Sequence, residues 1–220
     1  FPSRNGIPVS GRFPSIVERT PYDNSSIRLT NVGRFYARRG YVCILQDVRG
    51  RGESEGDWFF LLNPKDEGRD GYDLLEWIVK QDWSDGQIGT IGLSYTGATQ
   101  QALAVTNPPG LKTQFIMDSG YNYHTHTIRS GGAFNTGVLF PYAFRMARDG
   151  KEAQSDPLVR SKLTEEFHKV PEWFSKLPLK RGDSPLSLAP SYEDFLLTFA
   201  SHGDYDEFWK NPASNLEDNI

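Results

Sequence analysis

Ser94 is the side chain of this sequence best placed for covalent chemistry. It lies in Gly92-Leu93-Ser94-Tyr95-Thr96-Gly97, with an apolar run, Ile88 to Leu93, before it and a helical stretch, Tyr95 to Thr106, after it. A serine at a strand-to-helix corner sits on a strained backbone, and its hydroxyl stands clear at the end of the sheet, where it can attack a carbonyl carbon. Small residues nearby let strand and helix approach without a side-chain clash. The next amide, on Tyr95, falls at a helix N-terminus, where N–H groups lack intrahelical acceptors and can face a developing oxyanion. The spacing departs from G-x-S-x-G, because Thr96 stands where the second glycine would be and Gly97 follows one place later. Taken alone, the stretch equally fits a strand–turn–helix corner in an α/β protein whose serine does nothing.

Other residues offer chemistry with an ordinary alternative beside it. Thr20-Pro21-Tyr22-Asp23 follows a strand, so the Tyr22 phenol should emerge at the same sheet edge as Ser94. There it either donates to an oxyanion or simply packs a proline turn. Asp47-Val48-Arg49-Gly50-Arg51-Gly52-Glu53-Ser54-Glu55-Gly56 is glycine-rich, but its last interval is too long for the dinucleotide pattern G-x-G-x-x-G. An Asp–Arg pair bracing a glycine turn fits it better. His124 and His126 form an H-x-H pair near Asp118, yet no third metal ligand can be placed. A pocket-lining role suits His124 better, and Tyr142 is a second lining candidate. His168 and His202 read as surface or boundary residues. Asp204, Asp206 and Glu207 read as a solvated face beside Phe208-Trp209. Trp58-Phe59-Phe60 faces either a substrate or the core.

The elements that must position these residues alternate over the first 120. Ser15 to Thr20 reads as a strand closed by Pro21. Asn24 to Arg39 reads as a helix with Leu29, Val32 and Tyr36 on one face and Gly40 at its end. Tyr41 to Val48 is a near-continuous apolar run, as in a strand covered on both faces. Asp70 to Lys80 is a second helix, Ile88 to Leu93 a strand, Tyr95 to Thr106 a third helix stopped by Pro108-Pro109, and Leu111 to Met117 a further strand. Strict alternation implies the α/β class, a mostly parallel sheet with helices on both faces. After Gly120 aromatics, prolines and charges mix, with breakers at Pro157, Pro171, Pro178, Pro185 and Pro190. Residues 1–120 are therefore expected to form a core and residues 121–220 a mostly helical cap.

Composition narrows the function. The chain has 220 residues and a net charge of −4 with mixed signs, which leaves no basic footprint for nucleic acid. Arg34, Arg38 and Arg39 decorate the end of a helix. No apolar run approaches the roughly 18 residues of a membrane span. The single cysteine, Cys43, lies in an apolar run and is expected to be buried and inert. No targeting segment is visible, and the cytoplasm is the expected compartment.

Read in series, these motifs resemble the X-prolyl dipeptidyl-peptidase and cocaine-esterase family of serine hydrolases. The resemblance rests on Thr20-Pro21-Tyr22-Asp23, Asp47-Val48-Arg49-Gly50 with Gly52, Ser54 and Gly56, and Asp70-Gly71-Tyr72-Asp73 with Glu76-Trp77-Ile78. It continues through Gln81-Asp82-Trp83 with Gly86, the Ser94 stretch, and Pro108-Pro109 with Leu111-Lys112. Order and spacing agree over residues 13–120, and Gly131-Gly132-Ala133-Phe134 and Tyr205 to Trp209 extend the match through the cap. The family is similar in using G-x-S-Y-x-G, which accounts for Thr96. The resemblance implies an α/β-hydrolase fold, Ser94 as nucleophile, an oxyanion hole made by the Tyr95 amide and the Tyr22 hydroxyl, and cleavage of esters or amides through an acyl-enzyme. It implies no cofactor and no metal.

The resemblance implies that the family's triad Asp and His lie on later loops, so neither is expected in this chain, nor are the family's C-terminal strands and β-sandwich domain. A serine without its base is a poor nucleophile. The chain alone is expected to be inactive and to need the C-terminal remainder of the same protein or a second chain. Its substrate is expected to be a small ester or amide, or a peptide. An esterase or acylase is favoured over an X-Pro dipeptidyl-peptidase, because no carboxylate pair for a substrate's amino terminus can be located. A catalytically silent binding or scaffold module is the alternative from another class.

Overall fold

The computed structural model describes residues 1–60 and 64–210, which fall into two compact units. The first comprises residues 1–56 and 64–120. It opens with a short antiparallel pair, β1 (Ser3–Arg4) and β2 (Ile7–Pro8). Then strand and helix alternate: β3 (Phe13–Thr20), α1 (Ile27–Ala37), β4 (Val42–Asp47), α2 (Pro64–Val79), β5 (Ser84–Leu93), α3 (Tyr95–Ala104) and β6 (Leu111–Met117). The sheet order is β4-β3-β5-β6 and every neighbouring pair is parallel.

This order positions the site. From β3 the chain crosses outward to β4, then returns to β5 on the other side of β3. Right-handed crossovers put α1 on one face and α2 and α3 on the other, where the two pack together. The direction of travel therefore reverses between β3 and β5, and the crevice beyond the carboxyl ends of these strands is where open α/β sheets bind ligands. Val17, Leu75, Ile78, Ile88 and Leu103 form the buried core, with Ile44, Leu74, Val79, Trp83 and Leu111 packed against it. Each such side chain contributes roughly 1.5–3 kcal/mol when fully buried.

Several element ends differ from the sequence reading. The helix expected from Asn24 begins at Ile27, with Ser26 as its N-cap, because the Asn24 amide is taken by the Asp47 carboxylate at 2.8 Å. α2 begins at Pro64 rather than Asp70, and β5 begins at Ser84 rather than Ile88. Cys43 is half-buried rather than fully enclosed.

The second unit takes up residues 57–60 and 121–210. It contains a π-helical turn at His124–Ile128, a small hairpin of β7 (Arg129–Ser130) and β8 (Ala133–Phe134), and then α4 (Thr136–Arg148), α5 (Lys151–Ser155), α6 (Pro157–Phe167), α7 (Val170–Trp173) and α8 (Pro190–Ser201). Three of the prolines read as breakers open elements: Pro157 starts α6, Pro185 starts a 3-10 turn, and Pro190 starts α8. A missing N–H costs nothing in the first turn. Residues 57–60 depart from a single boundary at 120 for a packing reason. Trp58 stacks on Tyr192 at 5.0 Å and Phe60 lies 5.0 Å from Phe195. Both are 5% exposed, so they belong to the core of this unit. Among the described residues no helix is long and apolar enough to cross a membrane.

Candidate active site

β5 delivers Ser94 to the end of the sheet, and the turn into α3 is as sharp as the sequence implies. Ser94 has φ 60° and ψ −119°, a left-handed setting that a non-glycine residue adopts only under constraint. Its N–H donates to the Met117 carbonyl at 2.9 Å, and its carbonyl accepts from the amides of Gly97 and Ala98 at 2.8 and 3.0 Å. Although Ser94 is the N-cap of α3, its hydroxyl makes no capping bond, and the residue is exposed. The backbone is thus anchored while the hydroxyl oxygen is left out of the anchoring.

Thr96 explains the unusual spacing. Leu93 N–H donates to Thr96 Oγ1 at 2.6 Å, and that hydroxyl donates to the Leu93 carbonyl at 3.0 Å, which staples the turn across Ser94. A Cβ on Gly92 would lie 2.3 Å from Thr96 Oγ1 and 2.4 Å from its carbonyl oxygen, so only glycine fits beside the staple. Below it, Thr90 Oγ1 donates to Gln100 Oε1 at 2.7 Å, and Gln100 Nε2 donates to the Thr96 carbonyl at 3.0 Å. These groups are buried and satisfied, which makes the corner rigid.

Tyr22 follows β3, the strand beside β5. The last residues that β3 and β5 pair are Val17 and Thr90, and both strands run the same distance past that pair to Thr20 and Leu93. Tyr22 and Ser94 therefore leave the sheet on adjacent strands. The Tyr22 ring packs edge-on against Tyr95, with centroids 6.4 Å apart. Tyr95 is buried and its amide lies in the first turn of α3. Its phenol donates to Glu67 Oε2 at 3.4 Å. Burial pushes the Glu67 carboxyl above its usual range, opposed by Arg19, whose Nη1 lies 3.0 Å from Glu67 Oε1 and donates to the Glu67 carbonyl at 2.6 Å. The sequence reading did not foresee this brace, because Arg19, Glu67 and Tyr95 come from three separate elements.

The remaining candidates lie in the second unit. The His124 ring sits 5.5 Å from Tyr205 and 5.3 Å from Trp209, with Nε2 3.0 Å from the Gly203 carbonyl. Tyr142 packs on Phe60 at 5.1 Å. His126 Nδ1 accepts from the Asn122 amide at 3.3 Å, which is a structural use of the H-x-H pair. Among the described residues no group of three or more His, Cys, Asp or Glu could hold a metal ion. One pairing was missed. His202 Nδ1 lies 2.6 Å from Asp206 Oδ2, and the ring stacks on Phe208 at 4.1 Å. Asp206 is thus more than a solvated acid, and the hydrogen bond from His202 holds its carboxyl below the usual range. The spacing of four residues was the available signal.

With the site in view, similarity to known proteins becomes informative. The sequence pattern of the X-Pro dipeptidyl-peptidase (S15) family matches residues 6–218. The chain belongs to this family. Cocaine esterase of Rhodococcus sp. (strain MB1 Bresler) is 29% identical over 213 residues, which cover 92% of this chain and 36% of the esterase. Among solved structures, an aminopeptidase from the marine sediment archaeon Thaumarchaeota archaeon superposes with a TM-score of 0.65 at 21% identity, covering 93% of this chain and 36% of that one. A CocE/NonD family hydrolase from Staphylococcus aureus gives 0.64 at 19% identity, covering 95% and 34%. The fold is that of an α/β-hydrolase. This S15-family chain spans about a third of the length of these three relatives, 36%, 36% and 34%.

Proposed function

We propose that Ser94 is the nucleophile of a serine hydrolase that cleaves esters or amides through an acyl-enzyme, with esterase or acylase activity the favoured form. Ser94 Oγ attacks the substrate carbonyl carbon as its proton passes to a histidine base. The Tyr22 hydroxyl and the Tyr95 N–H stabilise the oxyanion. The histidine returns the proton to the leaving alcohol or amine as the C–O or C–N bond breaks. Water then hydrolyses the Ser94 ester by the same steps in reverse order. The histidine, and the aspartate that orients it, come from polypeptide outside this chain: the remainder of the same protein, or a second chain.

One observation carries the reading. Ser94 occupies a strained left-handed conformation while its hydroxyl makes no cap to its own helix. A serine in an N-cap position ordinarily spends its oxygen on the first turn, for about 1 kcal/mol. Forgoing that bond and adopting the strained backbone together make sense for a group held ready for substrate. Cocaine esterase, matched over most of the chain, supports the ester reading. The family's description supports X-Pro dipeptidyl-peptidase activity as the second reading of the same serine.

The test uses the esterolytic form of the protein with a phosphonylating serine probe and p-nitrophenyl acetate. Ser94→Ala is expected to abolish labelling and lower kcat by about 10⁴-fold or more. Labelling that persists at another serine removes Ser94 from the role. Faster turnover of a chromogenic Xaa-Pro amide than of the ester selects the peptidase.

A further inference from the structure

The glycine-rich loop from Asp47 to Gly56 has no part in the chemistry above, yet it contains two of the most deeply buried charges in the first unit. Arg51 and Asp47 are each 3% exposed. Each bonds the loop that carries Tyr22 through one polar atom. Arg51 Nε donates to the Pro21 carbonyl, immediately before Tyr22, at 2.9 Å. Asp47 Oδ1 accepts from the Asn24 amide, two residues after it, at 2.8 Å. Val48 N–H donates to the Thr20 carbonyl at 2.9 Å, and Tyr22 N–H donates to Thr20 Oγ1 at 3.0 Å. The backbone on both sides of Tyr22 is therefore fixed by one neighbouring loop.

That loop is itself closed. Ser54 Oγ donates to the Asp47 carbonyl at 2.7 Å, and Gly50 N–H donates to the Glu55 carbonyl at 2.9 Å. Asp47 Oδ2 also takes the Glu53 amide at 3.4 Å. Gly52 has φ 51°, and a Cβ there would lie 2.1 Å from Asp47 Oδ2, so a side chain at this turn would displace the carboxylate from its post.

We propose that Arg51 and Asp47 are positioning residues that act through Tyr22, holding its phenol where the oxyanion forms. The proposal rests on the reading of Tyr22 as an oxyanion donor. Stability alone is a poor account of the pair, because buried charges cost desolvation and apolar replacements are often neutral or stabilising. A donor that must meet a transient oxyanion within a fraction of an ångström has a use for such rigidity.

The experiment is a set of double-variant cycles in the esterolytic protein with p-nitrophenyl acetate, melting temperature being recorded for each variant. Tyr22→Phe is expected to lower kcat by about 10²–10³-fold. Arg51→Lys keeps the charge and loses the planar donor. Asp47→Asn keeps one of two acceptor oxygens and is the milder change. Each is expected to lower kcat by about tenfold, less than the roughly 10²-fold that a 1 Å misplacement can cost, with KM unchanged. Neither should slow Tyr22→Phe any further. A loss that repeats in full in the Tyr22→Phe background, or an unchanged kcat in folded Arg51→Lys and Asp47→Asn, overturns the positioning role. An unchanged kcat in Tyr22→Phe instead overturns the oxyanion reading on which it rests.

Discussion

Ser94 and His202 both stand at the end of a helix, and the chain uses them in opposite ways. At the start of α3 the surroundings of Ser94 are fastened by the Thr96 staple, the Gln100 bonds and the Met117 carbonyl, while its own hydroxyl caps nothing. At the end of α8 His202 is itself the fastening. Its Nδ1 meets Asp206, its ring stacks on Phe208, and its carbonyl accepts from Trp209 Nε1 at 3.0 Å and Arg129 Nη2 at 3.1 Å. A histidine–carboxylate pair invites a catalytic reading, since the same pair orients a base in hydrolases. Here its bonds close a corner of the second unit. The difference lies in what a polar group is for: one is kept available by its neighbours, the other is consumed by them.

The sharpest way to break this contrast is to disturb the fastening around Ser94. Gly92→Ala places a Cβ within 2.4 Å of the Thr96 carbonyl oxygen, a backbone atom that cannot step aside alone. The expected cost is about 1–3 kcal/mol of stability, with hydrolysis reduced to background. Gly137→Ala, in α4, meets open space and is expected to stabilise by up to about 1 kcal/mol through helix propensity. Chemical denaturation of both variants checks the pair. Full activity in Gly92→Ala would mean that the corner is not the rigid support described.

His202 comes next. The chain by itself is expected to hydrolyse p-nitrophenyl acetate at background, and His202→Ala is expected to leave the kcat of the esterolytic form within about twofold. Its cost is structural, on the order of 1 kcal/mol for the lost hydrogen bond, or a shift of a few degrees in Tm. Turnover by the chain alone that disappears in His202→Ala would make this residue the base and erase the distinction.

How much of this was legible beforehand follows from the range of the interactions. Gly92, Ser94 and Gly97 lie within one turn, so their spacing announced the corner, and strand alternation announced the parallel sheet. Tyr22 was placed correctly at the edge by the rule that parallel strands end together. What sequence could not supply came from contacts between distant segments. Asp47 takes the Asn24 amide and shortens α1, and Trp58 and Phe60 join a core built by Tyr192 and Phe195. Pro157, Pro185 and Pro190 open elements instead of breaking them, because the same missing N–H that breaks a helix interior is harmless at its start.

The smallest expected effect concerns Asp206, and it sharpens the structural reading of the His202 corner through pH. The hydrogen bond from His202 keeps the Asp206 carboxyl below its ordinary value. Its folded pKa is thus depressed relative to the unfolded chain, where aspartate titrates near about 3.9. In the window between the two values the unfolded state binds more protons, so stability rises with pH there. The contribution is fully present above the unfolded pKa and disappears as pH falls through the folded one. Asp206→Asn should therefore destabilise the protein at pH 7, and the difference from wild type should shrink progressively below about pH 4. Thermal melts at pH 7, 5, 4 and 3 measure it. A difference that stays constant across that range would mean that folding does not favour the Asp206 carboxylate over its protonated form, and the corner would lose its claim to consume His202.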